Sequence, residues 1–176
     1  MGLELFTQMV EEAVGRLKGD ESAAPPPVEC RVDLGLPYLL PEDFIAGTQQ
    51  RLEIYKQLAD VRTEEALWEL RQVLEDRFGA IPAEVDHLLD MIRIRLLAMG
   101  MGLSALERSN GKLLARFGRP EWIDVEQLMR LVNTPDSGFK ILPEDKLLLG
   151  AMPNAPGPVL EKLRRLNRVV QRPQAA

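Results

Sequence analysis

The feature that most constrains this chain is a helical segment near its middle with no polar side. Residues 83–99 begin amphipathically, with Val85, Leu88, Leu89 and Ile92 on one stripe. From Met91 to Met101, however, apolar residues point in nearly every direction, interrupted mainly by Arg93, Arg95 and Gly100. A helix apolar all round needs several covering neighbours. The fold must therefore place it centrally, where each buried Leu or Ile contributes roughly 1.5–3 kcal/mol before entropy is subtracted. No apolar run approaches the roughly 18–20 residues of a membrane span.

The covering elements are legible on both sides. Residues 48–61 predict a helix with Leu52, Tyr55, Leu58 and Ala59 inward. Thr63 predicts an N-cap for a second helix, with Glu64 and Glu65 in its first turn and Ala66, Leu67, Leu70, Val73 and Leu74 as its stripe. That helix ends at Phe78-Gly79, where glycine suits a left-handed position, and Pro82 suits the start of the central helix. Leu103–Ser109 and Lys112–Phe117 read as a hairpin closed by Asn110-Gly111, since both turn residues tolerate positive φ. Asp124–Val132 predicts a short helix with Val125, Leu128, Met129 and Val132 inward. Gly138–Leu142 and Lys146–Met152 predict two short strands around Pro143-Glu144-Asp145, and residues 158–171 a last helix. Arg172 to Ala176 reads as a frayed tail.

Toward the N-terminus, Pro25-Pro26-Pro27 breaks the chain, because consecutive prolines remove donors and favour extended geometry. Residues 1–19 before it hold an amphipathic helix of their own, with Leu3, Phe6, Met9, Val10, Ala13, Val14 and Leu17 on one face. Residues 20–27 are a linker. After it, Val28–Leu34 alternates as a half-buried strand, with Val28, Cys30, Val32 and Leu34 on one side. Residues 28–152 read as the main domain, and 153–176 as a basic helix and tail. Helices followed by strands without βαβ alternation predict an α+β fold: several packed helices with a small, mostly antiparallel sheet, preceded by a separate N-terminal helix.

The chemistry of a small enzyme is not visible. The sequence has neither a phosphate-binding glycine pattern followed by Lys-Ser/Thr nor Gly-x-Gly-x-x-Gly; Met99-Gly100-Met101-Gly102 reads as a helix end leading into a strand. His87 is the one histidine, and Ser22, Ser104, Ser109 and Ser137 lie in no nucleophile-elbow context. Cys30, the one cysteine, lacks partners at metal-ligand spacing and reads as a small buried strand residue. These observations predict no catalytic, cofactor-binding or metal-binding residue. The N-terminus lacks a signal-peptide pattern, and Phe6 stands where myristoylation wants Ser or Thr, so a cytoplasmic location is expected.

Charge leaves two surfaces for interaction. The net charge of −5 disfavours non-specific DNA binding by the chain as a whole. Carboxylates crowd the middle, from Glu64 to Asp90; they serve either as a solvated helical face or as an acidic docking face for a basic partner. Within them Glu75, Asp76, Arg77 and Phe78 are the candidate interdomain interface. Phe78 also reads as a core anchor, and Asp76 with Arg77 as an internal ion pair or helix-end bond. The last helix is the reverse: Lys162, Arg164, Arg165, Arg168 and Arg172 oppose Glu161 alone. Arg164, Arg165 and Arg168 are the candidate secondary contact surface, for phosphate, for an acidic partner, or merely for solvent.

Several segments together match the pattern of a known family. The carriers are Leu39-Leu40-Pro41-Glu42-Asp43-Phe44-Ile45, then Arg51-Leu52-Glu53-Ile54-Tyr55-Lys56-Gln57-Leu58-Ala59. Glu69-Leu70 precedes Leu74-Glu75-Asp76-Arg77-Phe78-Gly79 and Ile81-Pro82. Leu88-Leu89 and Arg95 then precede Ala98 and Met101-Gly102-Leu103. These segments resemble the C-terminal domain of the bacterial transcription-repair coupling factor; their order and spacing match from about residue 28 to 150, and the Pro-rich region beyond Gly150 matches loosely. The resemblance implies that residues 1–19 leave an upstream motor lobe, and that ATP and Mg belong to parent motor lobes outside this chain. It implies an ATP-driven translocase on double-stranded DNA that displaces stalled RNA polymerase and recruits UvrA for nucleotide excision repair. The C-terminal domain would then be a non-catalytic, monomeric, autoinhibitory module. It would dock on the N-terminal repair-recruitment domain, masking the UvrA site and restraining the motor. The alternative is an accessory nucleic-acid- or polymerase-binding domain using the basic last helix.

Overall fold

A computed structural model describes residues 29–172. The N-terminal helix expected over 1–19, the linker and the last four residues lie outside the described residues. The described chain contains five helices and a five-stranded mixed sheet, an α+β architecture. It divides into two compact units, one formed by residues 37–96 and the other by 29–36 with 97–172.

The first unit is helical. Pro41 opens a turn in which the Phe44 and Ile45 amides donate to its carbonyl. Helix α1, Thr48–Asp60, buries Ile54, Tyr55, Leu58 and Ala59. Ile54 thus takes the inward place the sequence assigns to Leu52, which is only half-buried. Helix α2, Glu64–Phe78, is capped by Thr63, whose hydroxyl accepts from the Ala66 amide at 3.2 Å. It stops at Gly79, whose φ of 92° is reached readily by glycine. Helix α3, Ala83–Gly100, contributes Val85, Leu88, Leu89 and Ile92 to a core with Leu67, Leu70, Leu74, Ile54, Tyr55 and Leu58. No residue from Leu88 to Glu107 is exposed, the burial that an all-apolar segment demands.

Arg95 is the exception to apolar filling. Its guanidinium donates to the carbonyls of Leu58, Ala59 and Val61, at 3.3, 3.4 and 2.9 Å. These carbonyls lie at the end of α1, where helix geometry leaves acceptors without intrahelical donors. Arg95 therefore closes that helix end from α3, together with Arg62, which donates to the Ala59 and Val61 carbonyls at 2.7 and 3.1 Å. Burial, and secondarily the charge of Arg62, lowers the Arg95 pKa to about 10, so it stays protonated at neutral pH.

The second unit is built on the sheet, in the order β1-β2-β3-β5-β4. Strand β1 is Arg31–Asp33, β2 Leu103–Ser109, β3 Lys112–Phe117, β4 Lys140–Leu142 and β5 Lys146–Ala151. Only the β1–β2 pairing is parallel. Asn110 and Gly111 take φ of 49° and 72° in the β2–β3 turn, as the hairpin requires. Gly102 precedes β2 at φ 74°, and a Cβ there would lie 2.8 Å from Arg119 Cβ and Trp122 Cε3. Burial pushes the Cys30 thiol beside β1 up to about 12.

Helix α4, Val125–Asn133, follows a 3₁₀ turn at Pro120–Trp122. Its N-cap, Asp124, accepts from the Gln127 amide at 3.0 Å. Of the four residues expected inward, Leu128 alone is buried; Val125 is 68% exposed, Met129 43%, and Val132 half-buried. Helix α5, Pro156–Asn167, begins two residues before the expected start because Pro156 supplies a preset helical φ. It ends before the expected residue 171. Tertiary bonds take over: Val170 bridges Ile123, and the Gln171 amide donates to the Trp122 carbonyl at 2.6 Å. Arg172, expected in a frayed tail, donates to Asn167 Oδ1 at 3.3 Å.

Candidate interaction site

Helix α2 divides into three kinds of surface. Leu67, Leu70 and Leu74 are buried. A flank is tied to its neighbours: Arg71 pairs with Glu75 at 3.2 Å and with Asp86 of α3 at 3.4 Å. Arg93 of α3 pairs with Glu64 at 3.4 Å. The remaining face, at 100° per residue, runs from Trp68 through Gln72, Glu65, Asp76 and Glu69 to Val73. Trp68 is 59% exposed and Val73 42%. Two apolar side chains thus border a strip of three carboxylates.

Val73 was expected on the inward stripe. It sits too far around the axis from Leu67, Leu70 and Leu74 to join them. Trp68 was absent from the candidate set. Its signal is its place next to Leu67: a large aromatic one step off an amphipathic stripe, on a helix whose core side leucines already fill.

The four interface candidates form the last turn of α2, and of them Asp76 alone lies on this face. Glu75, Asp76 and Arg77 are exposed and Phe78 is half-buried. Glu75 is engaged by Arg71. Phe78 packs against the core cluster, its ring 5.7 Å from that of Phe44. The Arg77 guanidinium lies 5.1 Å from the Phe78 ring centroid, a cation–π contact that holds it over the helix end. Asp76 makes no ion pair or hydrogen bond among the described residues.

On α5 the secondary candidates are largely occupied. Arg164 pairs with Glu161 at 2.8 Å, and Arg165 lies 5.3 Å from the Phe139 ring centroid. Lys162 donates to the Leu149 carbonyl at 2.8 Å, fastening α5 to β5. Burial and then the Arg165 charge hold the Lys162 pKa below the usual lysine range. Arg168 is exposed and unpaired among the described residues. His87 is exposed on α3.

Among the described residues, no group of three or more His, Cys, Asp or Glu is placed to hold a metal ion. A recess lined by Asp124, Glu126, Gln127 and Arg130 is a polar dent at the start of α4. No helix among the described residues is long and apolar enough to cross a membrane.

The family model of the TRCF domain matches residues 34–128, which include α1 to α3, the β2–β3 hairpin and Asp124. The transcription-repair-coupling factor of Myxococcus xanthus is 30% identical over 159 residues, covering 89% of this chain and 13% of the relative. That of Staphylococcus epidermidis is 37% identical over 144 residues, covering 80% and 12%. That of Staphylococcus haemolyticus is 37% identical over 107 residues, covering 61% and 9%. The chain thus spans about an eighth or less of the curated relatives it matches. A crystal structure of the C-terminal domain of a transcription-repair coupling factor shares the fold, with a TM-score of 0.67 and 19% identity over 80% of this chain and 91% of that one. The chain belongs to the TRCF domain family of transcription-repair coupling factors, and its fold is that of their C-terminal domain.

Proposed function

We propose that this domain is a non-catalytic regulatory module that docks, through the outward face of α2, on the N-terminal repair-recruitment domain of its parent protein. In that position it masks the surface UvrA uses and restrains the motor until polymerase and DNA are engaged. The observation that carries the reading is the exposure of Trp68 and Val73 on a helix face lined by Glu65, Glu69 and Asp76. An exposed tryptophan beside unpaired charge is the composition of an interface hot spot with a charged rim.

A clamp of this kind needs no reactive group. It needs only a docking free energy that differs between closed and open states. A closed population of about 99:1 takes about 2.7 kcal/mol, within reach of one aromatic anchor and one or two charge pairs. The alternative, a nucleic-acid or polymerase contact through α5, is less well supported because Lys162, Arg164 and Arg165 already have partners within the unit.

The test is calorimetric titration of this chain with the separately expressed N-terminal domain, with and without UvrA. Saturable binding that UvrA displaces is the expected result. No binding, accompanied by salt-sensitive binding to DNA, would move the function to the nucleic-acid reading.

A further inference from the structure

The sheet carries a second surface, opposite in charge to α2. Strand register defines it. Leu114 on β3 lies opposite Leu148 on β5, and Lys140 on β4 lies opposite Leu148 from the other side. Two residues along, Arg116 lies opposite Lys146. Lys112 precedes Leu114 by one period of the pleat, on the same face. Two half-buried leucines are thus ringed by four cations. The alternate residues Leu113, Ala115, Leu147 and Leu149 are buried, whereas Lys112, Arg116 and Lys140 are exposed. Like charges directly across a strand pair are unfavourable. At the Arg116–Lys146 pair, Glu144 meets Lys146 at 2.7 Å. Lys112, Arg116 and Lys140 make no ion pair among the described residues.

We infer that this sheet face docks an acidic amphipathic helix of a partner protein, its apolar stripe over Leu114 and Leu148 and its carboxylates on the surrounding cations. Charge selects an acidic occupant. Width selects a helix: three neighbouring strands at about 4.8 Å spacing span about 10 Å, one helix diameter. The aliphatic centre selects protein over nucleic acid. Phe117, the one aromatic residue of the five strands, is on the buried side, so no ring is presented to stack a base. Glu107, opposite Leu114, bounds the cationic face on its β2 side, so the helix lies over β3, β5 and β4. The surface lies in a different unit from α2 and is independent of the docking proposed there.

The test uses the full chain and two fluorescent probes measured by anisotropy. One is a synthetic helix of Leu, Ala and Glu with leucine along one face; the other is single-stranded oligothymidylate of equal charge. The peptide is expected to bind saturably and more tightly than the oligonucleotide. Lys112→Glu with Arg116→Glu is expected to weaken the peptide about tenfold, and Lys140→Glu, at the other side of the ring, to weaken it as well. Arg130→Glu on α4 is expected to leave the affinity unchanged. Circular dichroism checks that each variant is folded. Absence of saturable peptide binding, equal or tighter oligonucleotide binding, or unchanged peptide affinity in the folded sheet variants overturns the inference.

Discussion

The two units solve the problem of charge in opposite ways. Residues 37–96 carry 12 acidic and 7 basic residues, whereas residues 29–36 with 97–172 carry 10 acidic and 13 basic. In the acidic unit the arginines are largely spent on architecture. Arg95 closes α1, Arg71 and Arg93 join α2 to α3, and Arg51 donates to the Ile45 carbonyl at 2.7 Å. Among the acids they do not reach, Glu65, Glu69 and Asp76 share the outer face of α2. In the basic unit part of the excess is absorbed, by Lys162 and the flanks of α5; Arg168 stays unpaired there, and Lys112, Arg116 and Lys140 lie unpaired on one side of the sheet among the described residues. Net charge of the whole chain therefore describes neither surface. Function follows from which charges remain after folding has used its own.

The largest expected effect separates the units by their supports. Arg95→Ala opens a cavity at the end of α1 and takes one donor from each of three carbonyls, leaving them to Arg62 and the Val61 amide, and is expected to cost about 2–5 kcal/mol. Hydrogen exchange should show the lost protection concentrated in residues 37–96, where all three acceptors lie; equal loss throughout would break the comparison. Gly102→Ala acts in the other unit. A Cβ 2.8 Å from Arg119 and Trp122, at φ 74°, is expected to cost about 2 kcal/mol in urea denaturation. Trp68→Ala distinguishes surface from support. It should change stability by no more than about 0.5 kcal/mol while weakening docking to the N-terminal domain by about 2 kcal/mol.

The smallest effect is a titration. The Asp124 carboxylate accepts from the Gln127 amide, and that bond holds its pKa below the usual 3.8. A depressed folded pKa means that its stabilisation is complete above the unfolded value and is lost as pH falls through the folded one. NMR titration should place the Asp124 midpoint below 3.8, and Asp124→Asn should flatten the acid limb of stability.

Much of the fold is legible because local signals agree with tertiary need. The all-apolar stretch of α3, the Thr63 cap and the Asn110-Gly111 hairpin each have one inexpensive structural solution. The misses arise where neighbours decide. Periodicity puts Val125 and Met129 on the apolar side of α4, but burial depends on what packs there, and only Leu128 is covered. The end of α5 is set by the Val170 bridge to Ile123, a partner 47 residues away in sequence. For the candidate site, composition shows an acidic middle but not which acids remain free. Glu75 is taken by Arg71, whereas Asp76 stays unpaired among the described residues, and both look alike in sequence. Trp68 carries a sequence signal, one step off the leucine stripe, whereas the cationic ring on the sheet appears only when register is known.

The central claim is that the acidic face of α2 carries the docking, and charge reversal in a binding titration tests it most directly. Glu69→Lys with Asp76→Lys, titrated by calorimetry against the N-terminal domain, is predicted to weaken binding about tenfold or more while leaving the melting temperature nearly unchanged. Unchanged affinity in the folded double variant would contradict the account and remove this face from the function of the domain.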